Sequence, residues 1–130
     1  MAPPRAVVVV PTLNEAANVP ELIERIGRAA PEADIMVVDD QSADGTAVVA
    51  AKALAGRPGS RVLSREGPRG LGRAYAEAFQ VALDLGYDVI VQMDADLSHD
   101  PAAIPSLVGA LETADLAIGS RYCAGGGVEG

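Results

Sequence analysis

The stretch VIVQMDADLSHDP, Val89–Pro101, changes character at its middle. Val89, Ile90 and Val91 are apolar at successive positions, the mark of a strand buried on both faces. The run stops at Asp94, and Asp96, His99 and Asp100 follow with no Lys or Arg nearby. Asp100 before Pro101 has the form of a helix start, acid at the N-cap and proline at the first helical position. A doubly buried strand that leads through an acidic loop into a helix is one βα unit of a parallel sheet.

The same unit recurs upstream. Ala6–Val10 is a β-branched strand that Pro11 is expected to stop. From Asn18 or Val19 to Ala29 the spacing of Leu22, Ile23 and Ile26 predicts a helix, with Pro20 in its first turn. Ile35–Val38 reads as a second strand, and DDQSADGT as a turn in which Gly45 supplies a positive φ. Thr46–Leu54 reads as a helix capped by Thr46 or Asp44. Arg61–Leu63 is expected to be a strand chiefly because the alternation requires one. REGPRGLG then opens a helix from Leu71 to Leu85 that Gly86 ends. Val89–Met93, Ala102–Leu111 and Leu116–Ile118 complete the series as strand, helix and strand.

The expectation is an α/β domain over 1–130, a mostly parallel sheet with helices on both faces, and a glycine-rich flexible tail at 123–130. A chain of 130 residues, 49% hydrophobic and 22% charged, has a globular composition. A net charge of −8 argues against nucleic acid as a partner. Cys123 stands alone and cannot form an internal disulfide. No apolar run approaches the ~20 residues that span a bilayer, and Pro11 interrupts the only N-terminal run. A cytoplasmic, non-spanning protein is the expectation. Six of the ten cations (Lys52, Arg57, Arg61, Arg65, Arg69, Arg73) share one segment with a single acid, Glu66. Five of them recur every fourth residue, but Pro58, Gly59, Gly67, Pro68 and Gly70 forbid a continuous helix there, so the segment is read only as basic.

In open α/β sheets ligands sit outside the carboxyl ends of the strands. Those ends here carry PTLNEA, DDQSADGT, the glycine loop, DADLSHDP and GSRY. If the strands run in the order 3-2-1-4, Glu15, Asp39 or Asp40, Asp94 and Asp96 converge on one crevice. Two carboxylates ~4 Å apart repel by about 4 kcal/mol at an effective dielectric of ~20. A hard divalent cation, Mg²⁺ or Mn²⁺, relieves that repulsion and can also grip a diphosphate. Asp94 and Asp96 are two apart, so in extended backbone they point the same way. Several of these residues also have plainer readings. Asp100 and Ser98 are also helix caps, His99 a local hydrogen-bonding residue, and Ser42 and Asp44 turn formers. Glu15 can be an ordinary acid near a helix N-terminus, and one of Asp39 and Asp40 is expected to be structural.

The blocks VVVVPTLNEAANVPELI, VVDDQSADGT, GLGRAYAEAF, VIVQMDADLSHDP and GSRYCAGGGV together resemble a family-2 inverting glycosyltransferase with the GT-A fold. More narrowly, they resemble the dolichol-phosphate or polyprenol-phosphate mannose synthases, from about Val7 to Val128. That resemblance implies transfer of mannose from GDP-mannose to a polyprenyl or dolichyl phosphate, with Mg²⁺ or Mn²⁺ as cofactor. It implies that Pro11, Leu13 and Glu15 contact the nucleoside, although many relatives have Tyr in place of Leu13. Val38 and Asp40 would hold base or ribose. Asp94, Ala95 and Asp96 would bind metal and sugar diphosphate, with Ser98 as a third metal ligand. Arg121 would meet a phosphate, and Asp96 and Arg121 would carry the catalysis. Such enzymes normally continue past this point, so a membrane-anchoring partner or a further C-terminal segment is expected, with the complete protein peripheral at the cytoplasmic membrane face. The alternatives are another nucleotide-sugar donor within family 2 and a non-catalytic nucleotide-binding fragment.

Overall fold

The computed structural model describes residues 5–95 and 116–118. The helix expected at Ala102–Leu111, and Asp96, Ser98, His99, Asp100, Arg121, Cys123 and the glycine-rich end, lie outside the described residues. In chain order the elements are β1 (Ala6–Thr12), α1 (Val19–Ala29), β2 (Asp34–Asp39), α2 (Thr46–Ala53), β3 (Arg61–Ser64), α3 (Leu71–Asp84), β4 (Val89–Gln92) and β5 (Leu116–Ile118). They form one sheet in the order β3-β2-β1-β4-β5, and every pairing is parallel.

The period-two alternation of the strands divides the core. Val8, Val10, Ile35, Val37, Val89 and Val91 face one layer, where Leu22, Ile23 and Ile26 of α1 and Ala50 of α2 close over them. Val7, Val9, Met36, Val38 and Ile90 face the other, packed against Ala74, Ala78 and Ala82 of α3. Three alanines four apart put a smooth stripe along one side of α3. Each fully buried Val or Leu contributes roughly 1.5–3 kcal/mol. Both faces of the sheet are therefore apolar, and the strands read as unbroken hydrophobic runs.

Two local expectations are corrected. Pro11 does not stop β1, which continues to Thr12 and pairs Pro11 with Val38 and Thr12 with Asp39. The Val9 carbonyl accepts from the Met93 N–H on the β4 side, and Pro11, two residues on, turns its nitrogen to that same side. The pairing with β4 has already ended at Val9, so the missing N–H forfeits nothing. At the start of α2, Gly45 is the N-cap at φ 84, with no side-chain cap bond of its own. Asp44 serves from one residue earlier, accepting the Thr46 N–H at 3.0 Å. Thr46 is the first helical residue, and its hydroxyl accepts the Glu15 N–H at 3.0 Å.

Candidate active site at the carboxyl ends of the strands

Asp39 and Asp40 are neighbours in sequence and point to opposite layers. Asp39, 4% exposed, knots two loops together. Its Oδ1 accepts the Thr12 hydroxyl at 2.8 Å and the Ser42 hydroxyl at 2.6 Å, and its Oδ2 accepts the Ser42 N–H at 3.1 Å. The Ser42 hydroxyl oxygen in turn accepts the Asn14 N–H at 2.7 Å, and Asn14 Oδ1 accepts the Ala43 N–H at 2.9 Å. Asn14 and Gln41 both sit in the left-handed region, at φ 57 and φ 67. The two non-glycine residues with positive φ among those described thus lie just past β1 and β2, at the expected crevice.

Asp40 follows Val38 by two and turns to the α3 layer. It is 7% exposed, and its Oδ1 lies 2.6 Å from Arg65 Nη1. Its Oδ2 accepts the Gly70 N–H, at the start of α3, at 2.9 Å. Arg65 is itself 6% exposed and donates through Nε to Glu77 at 3.0 Å and through Nη2 to the Pro68 carbonyl at 3.3 Å. Gln41 and Arg69 tie the same loops from outside, through Gln41 Nε2 to the Gly67 carbonyl and Arg69 Nη2 to the Gln41 carbonyl, both at 2.6 Å. Burial of an ionised carboxylate is tolerated when a charged partner and a further donor accompany it. Arg65 and Gly70 supply both.

Asp94 reaches the same face by a different route. Met93 and Ala95 on either side of it pack into the α1–α2 layer, so Asp94 turns toward α3. There burial first, then the charge of Asp94 and a hydrogen bond to it, push the Tyr75 phenol well above its ordinary value. Asp40 and Asp94 thus both meet the first turns of α3, at Gly70 and Tyr75, five residues or about 7.5 Å apart along the helix. β1 alone separates β2 from β4, two strand spacings or about 10 Å. Among the described residues no Lys or Arg pairs with Asp94, and no three His, Cys, Asp or Glu side chains group to hold a metal ion. Among the described residues Asp94 is thus a half-buried hard oxygen donor with no cationic partner, of the kind Mg²⁺ and Mn²⁺ take.

The remaining expected positions are dispersed. Pro11 lies half-buried on the α3 side of β1, and Leu13 beyond it is 45% exposed. Val38 has no exposed surface and forms the floor beneath Asp40; Ala95, 4% exposed, is packed in the opposite layer. The Glu15 N–H is bonded to Thr46, and its Oε1 accepts the Asn18 amide at 2.9 Å, so that carboxylate serves the entry to α1. Arg65 was not foreseen. Its fourfold spacing with other arginines belongs to no helix, while an acid pair followed by a basic, glycine-rich loop was the available clue.

Residues 7–129 match the model for glycosyl transferase family 2. The chain is 47% identical over 122 residues to an undecaprenyl-phosphate mannosyltransferase of Micrococcus luteus, covering 94% of this chain and 50% of that protein. It therefore spans half the length of that relative. Among solved structures it is similar to a mannosyltransferase from Pyrobaculum calidifontis in complex with GDP-Man and Mn²⁺, with TM-score 0.68, 26% identity, and 85% of this chain and 32% of that one covered. It is similar to the same degree, with TM-score 0.68, 27% identity and coverage of 85% and 40%, to glucosyl-3-phosphoglycerate synthase from Mycobacterium tuberculosis in complex with Mn²⁺ and UDP. Parallel strands in the order 3-2-1-4 and these neighbours together give the GT-A arrangement. With acidic strand ends gathered under the first turns of α3 and a family match across nearly its whole length, the chain belongs to glycosyl transferase family 2.

Proposed function

We propose that this chain, as a single domain over 1–130, is the donor-binding part of an inverting mannosyltransferase. It would take GDP-mannose and deliver mannose to a polyprenyl or dolichyl phosphate at a membrane surface. The placing of Asp40 and Asp94 on one face, at the carboxyl ends of the strands, carries this reading. The likeness to an undecaprenyl-phosphate mannosyltransferase and to a mannosyltransferase holding GDP-Man and Mn²⁺ supports the choice of sugar and acceptor.

In this reading Pro11, Leu13 and Glu15 border the nucleoside, and Asp40 above Val38 accepts its hydrogen bonds. Asp94, Asp96 and Ser98 would hold Mg²⁺ or Mn²⁺, and Ala95 would join them in binding the sugar diphosphate. When bound, the metal would neutralise charge on the departing diphosphate. The acceptor is a phosphate monoester with pKa near 6, already largely dianionic at neutral pH. Its oxygen forms a bond to the anomeric carbon as the bond from that carbon to the GDP oxygen breaks on the opposite side. No proton has to be removed first, so no strong general base is needed. Arg121 meets a phosphate and offsets its charge. Anchoring to the membrane would fall to a partner or to a further segment.

Thermal unfolding with Mn²⁺ and a panel of GDP, UDP and GDP-mannose tests the reading. At a hundredfold excess over Kd a ligand adds about 2.7 kcal/mol to stability. GDP and GDP-mannose should raise Tm, Asp96→Ala should remove most of the rise, and Asp100→Asn should leave it, since Asn also caps helices. A larger rise with UDP would overturn the donor, and no rise with any nucleotide would overturn the site.

A further inference from the structure

Arg65 touches no part of the proposed donor, yet among the described residues it is the one buried cation, 6% exposed. Its backbone N–H donates to the Asp39 carbonyl at 2.9 Å, which carries the β2–β3 pairing one step past β3 and fixes where the side chain begins. The guanidinium then reaches three separate elements, through Nη1 to Asp40, Nε to Glu77 of α3 and Nη2 to the Pro68 carbonyl. Asp40 closes the ring by accepting the Gly70 N–H. Each Asp40 oxygen has thus taken one protein donor and has capacity for a second.

We propose that Arg65 is the positioning residue of the nucleoside subsite. It clamps the Asp40 carboxylate and the glycine loop into one rigid unit, so that the free acceptor positions of Asp40 stay aimed at the nucleoside. This rests on the reading of Asp40 as a nucleoside contact. A planar guanidinium can hold a carboxylate, a second carboxylate and a carbonyl in one plane at fixed angles. A lysine at the same place supplies the charge and none of that geometry. Glu77, whose side chain is 43% exposed, takes the guanidinium through Nε while Asp40 takes Nη1.

The test is titration calorimetry of this chain with GDP·Mn²⁺ and, separately, with pyrophosphate·Mn²⁺. Arg65→Lys should weaken GDP about tenfold and leave pyrophosphate binding unchanged, because only the nucleoside half of the ligand meets Asp40. Adding Arg65→Lys to Asp40→Asn should cost no further GDP affinity, since Arg65 acts only through Asp40. Equal losses for GDP and pyrophosphate, or additive losses in the double variant, would assign Arg65 to holding the fold and overturn the proposal. If Arg65→Lys does not fold, Glu77→Ala decides. It should weaken GDP about threefold with Tm unchanged, and unaltered GDP affinity overturns the clamp. Wild-type chain that binds no GDP at all would instead defeat the donor-site reading itself.

Discussion

The two ends of the sheet are built from similar polar side chains to different purposes. At the amino ends Arg5, Asp34, Gly59 and Tyr87 complete one another. The Tyr87 hydroxyl donates to Asp34, the Arg5 guanidinium lies 4.6 Å from the Tyr87 ring centroid, and Arg5 Nη1 donates to the Leu85 carbonyl at 2.9 Å, past the end of α3. At the carboxyl ends Asp40 keeps spare acceptor capacity, Asp94 faces a phenol with no cationic partner described, and Asn14 and Gln41 hold left-handed backbone. One end spends its hydrogen bonds on closure. The other leaves acceptor positions open, which the proposed donor would fill.

That contrast can be broken at several points. Asp40→Ala should have the largest effect, about 3 kcal/mol in urea unfolding, because it strands a buried guanidinium with only Glu77 as a charged partner. A loss near zero would mean that Arg65 escapes to solvent and that the carboxyl end is looser than described. Gly59→Ala attacks the closed end. Gly59 sits at φ 91, and an added Cβ would lie 2.8 Å from the Asp34 carboxylate oxygens, so about 2 kcal/mol should be lost. An unchanged Tm would show that Asp34 is not held there.

Tyr87→Phe should cost about 1 kcal/mol at neutral pH, by leaving Asp34 short of a donor. It carries a pH signature as well. Burial, then the hydrogen bond to Asp34, push the Tyr87 phenol from 10.0 up to about 12. The folded state therefore keeps a proton that the unfolded state loses. Stability is intact below pH 10 and should fall as pH rises through about 12; in the Phe variant that share of the alkaline loss should vanish, which a pH series of melts measures. The smallest effect is expected from Gln41→Gly. Relief of the left-handed backbone and loss of the Gln41 bond to Gly67 oppose each other, so stability should move by less than about 1 kcal/mol. A larger loss would make that side-chain bond the chief tie between the β2 loop and the glycine loop.

Much of this was readable from residue order. The β-branched runs and their helical partners placed each described element to within about two residues, even Arg61–Ser64, expected only because two neighbouring helices demanded a strand between them. Pro11 misled because proline's missing donor matters only on the side where a neighbour is paired, and which neighbour ends first is a matter of register. Asp40 and Asp94 were identifiable as acids at strand ends. That Asp39 turns away from them follows from the alternation of a strand, but only once the layer under each face is known.

By itself the order of apolar and polar residues determined the βα alternation, the parallel sheet and the end at which charge collects, since these depend on local periodicity and on burying apolar faces. Tertiary structure alone decided which acid meets which partner. Arg65 lies 25 residues from Asp40 in the chain, and the two meet only because β3 pairs with β2 while α3 folds back over β2 and β1. A bond of that kind depends on the directions of side chains brought together by packing, and directions are not written in spacing.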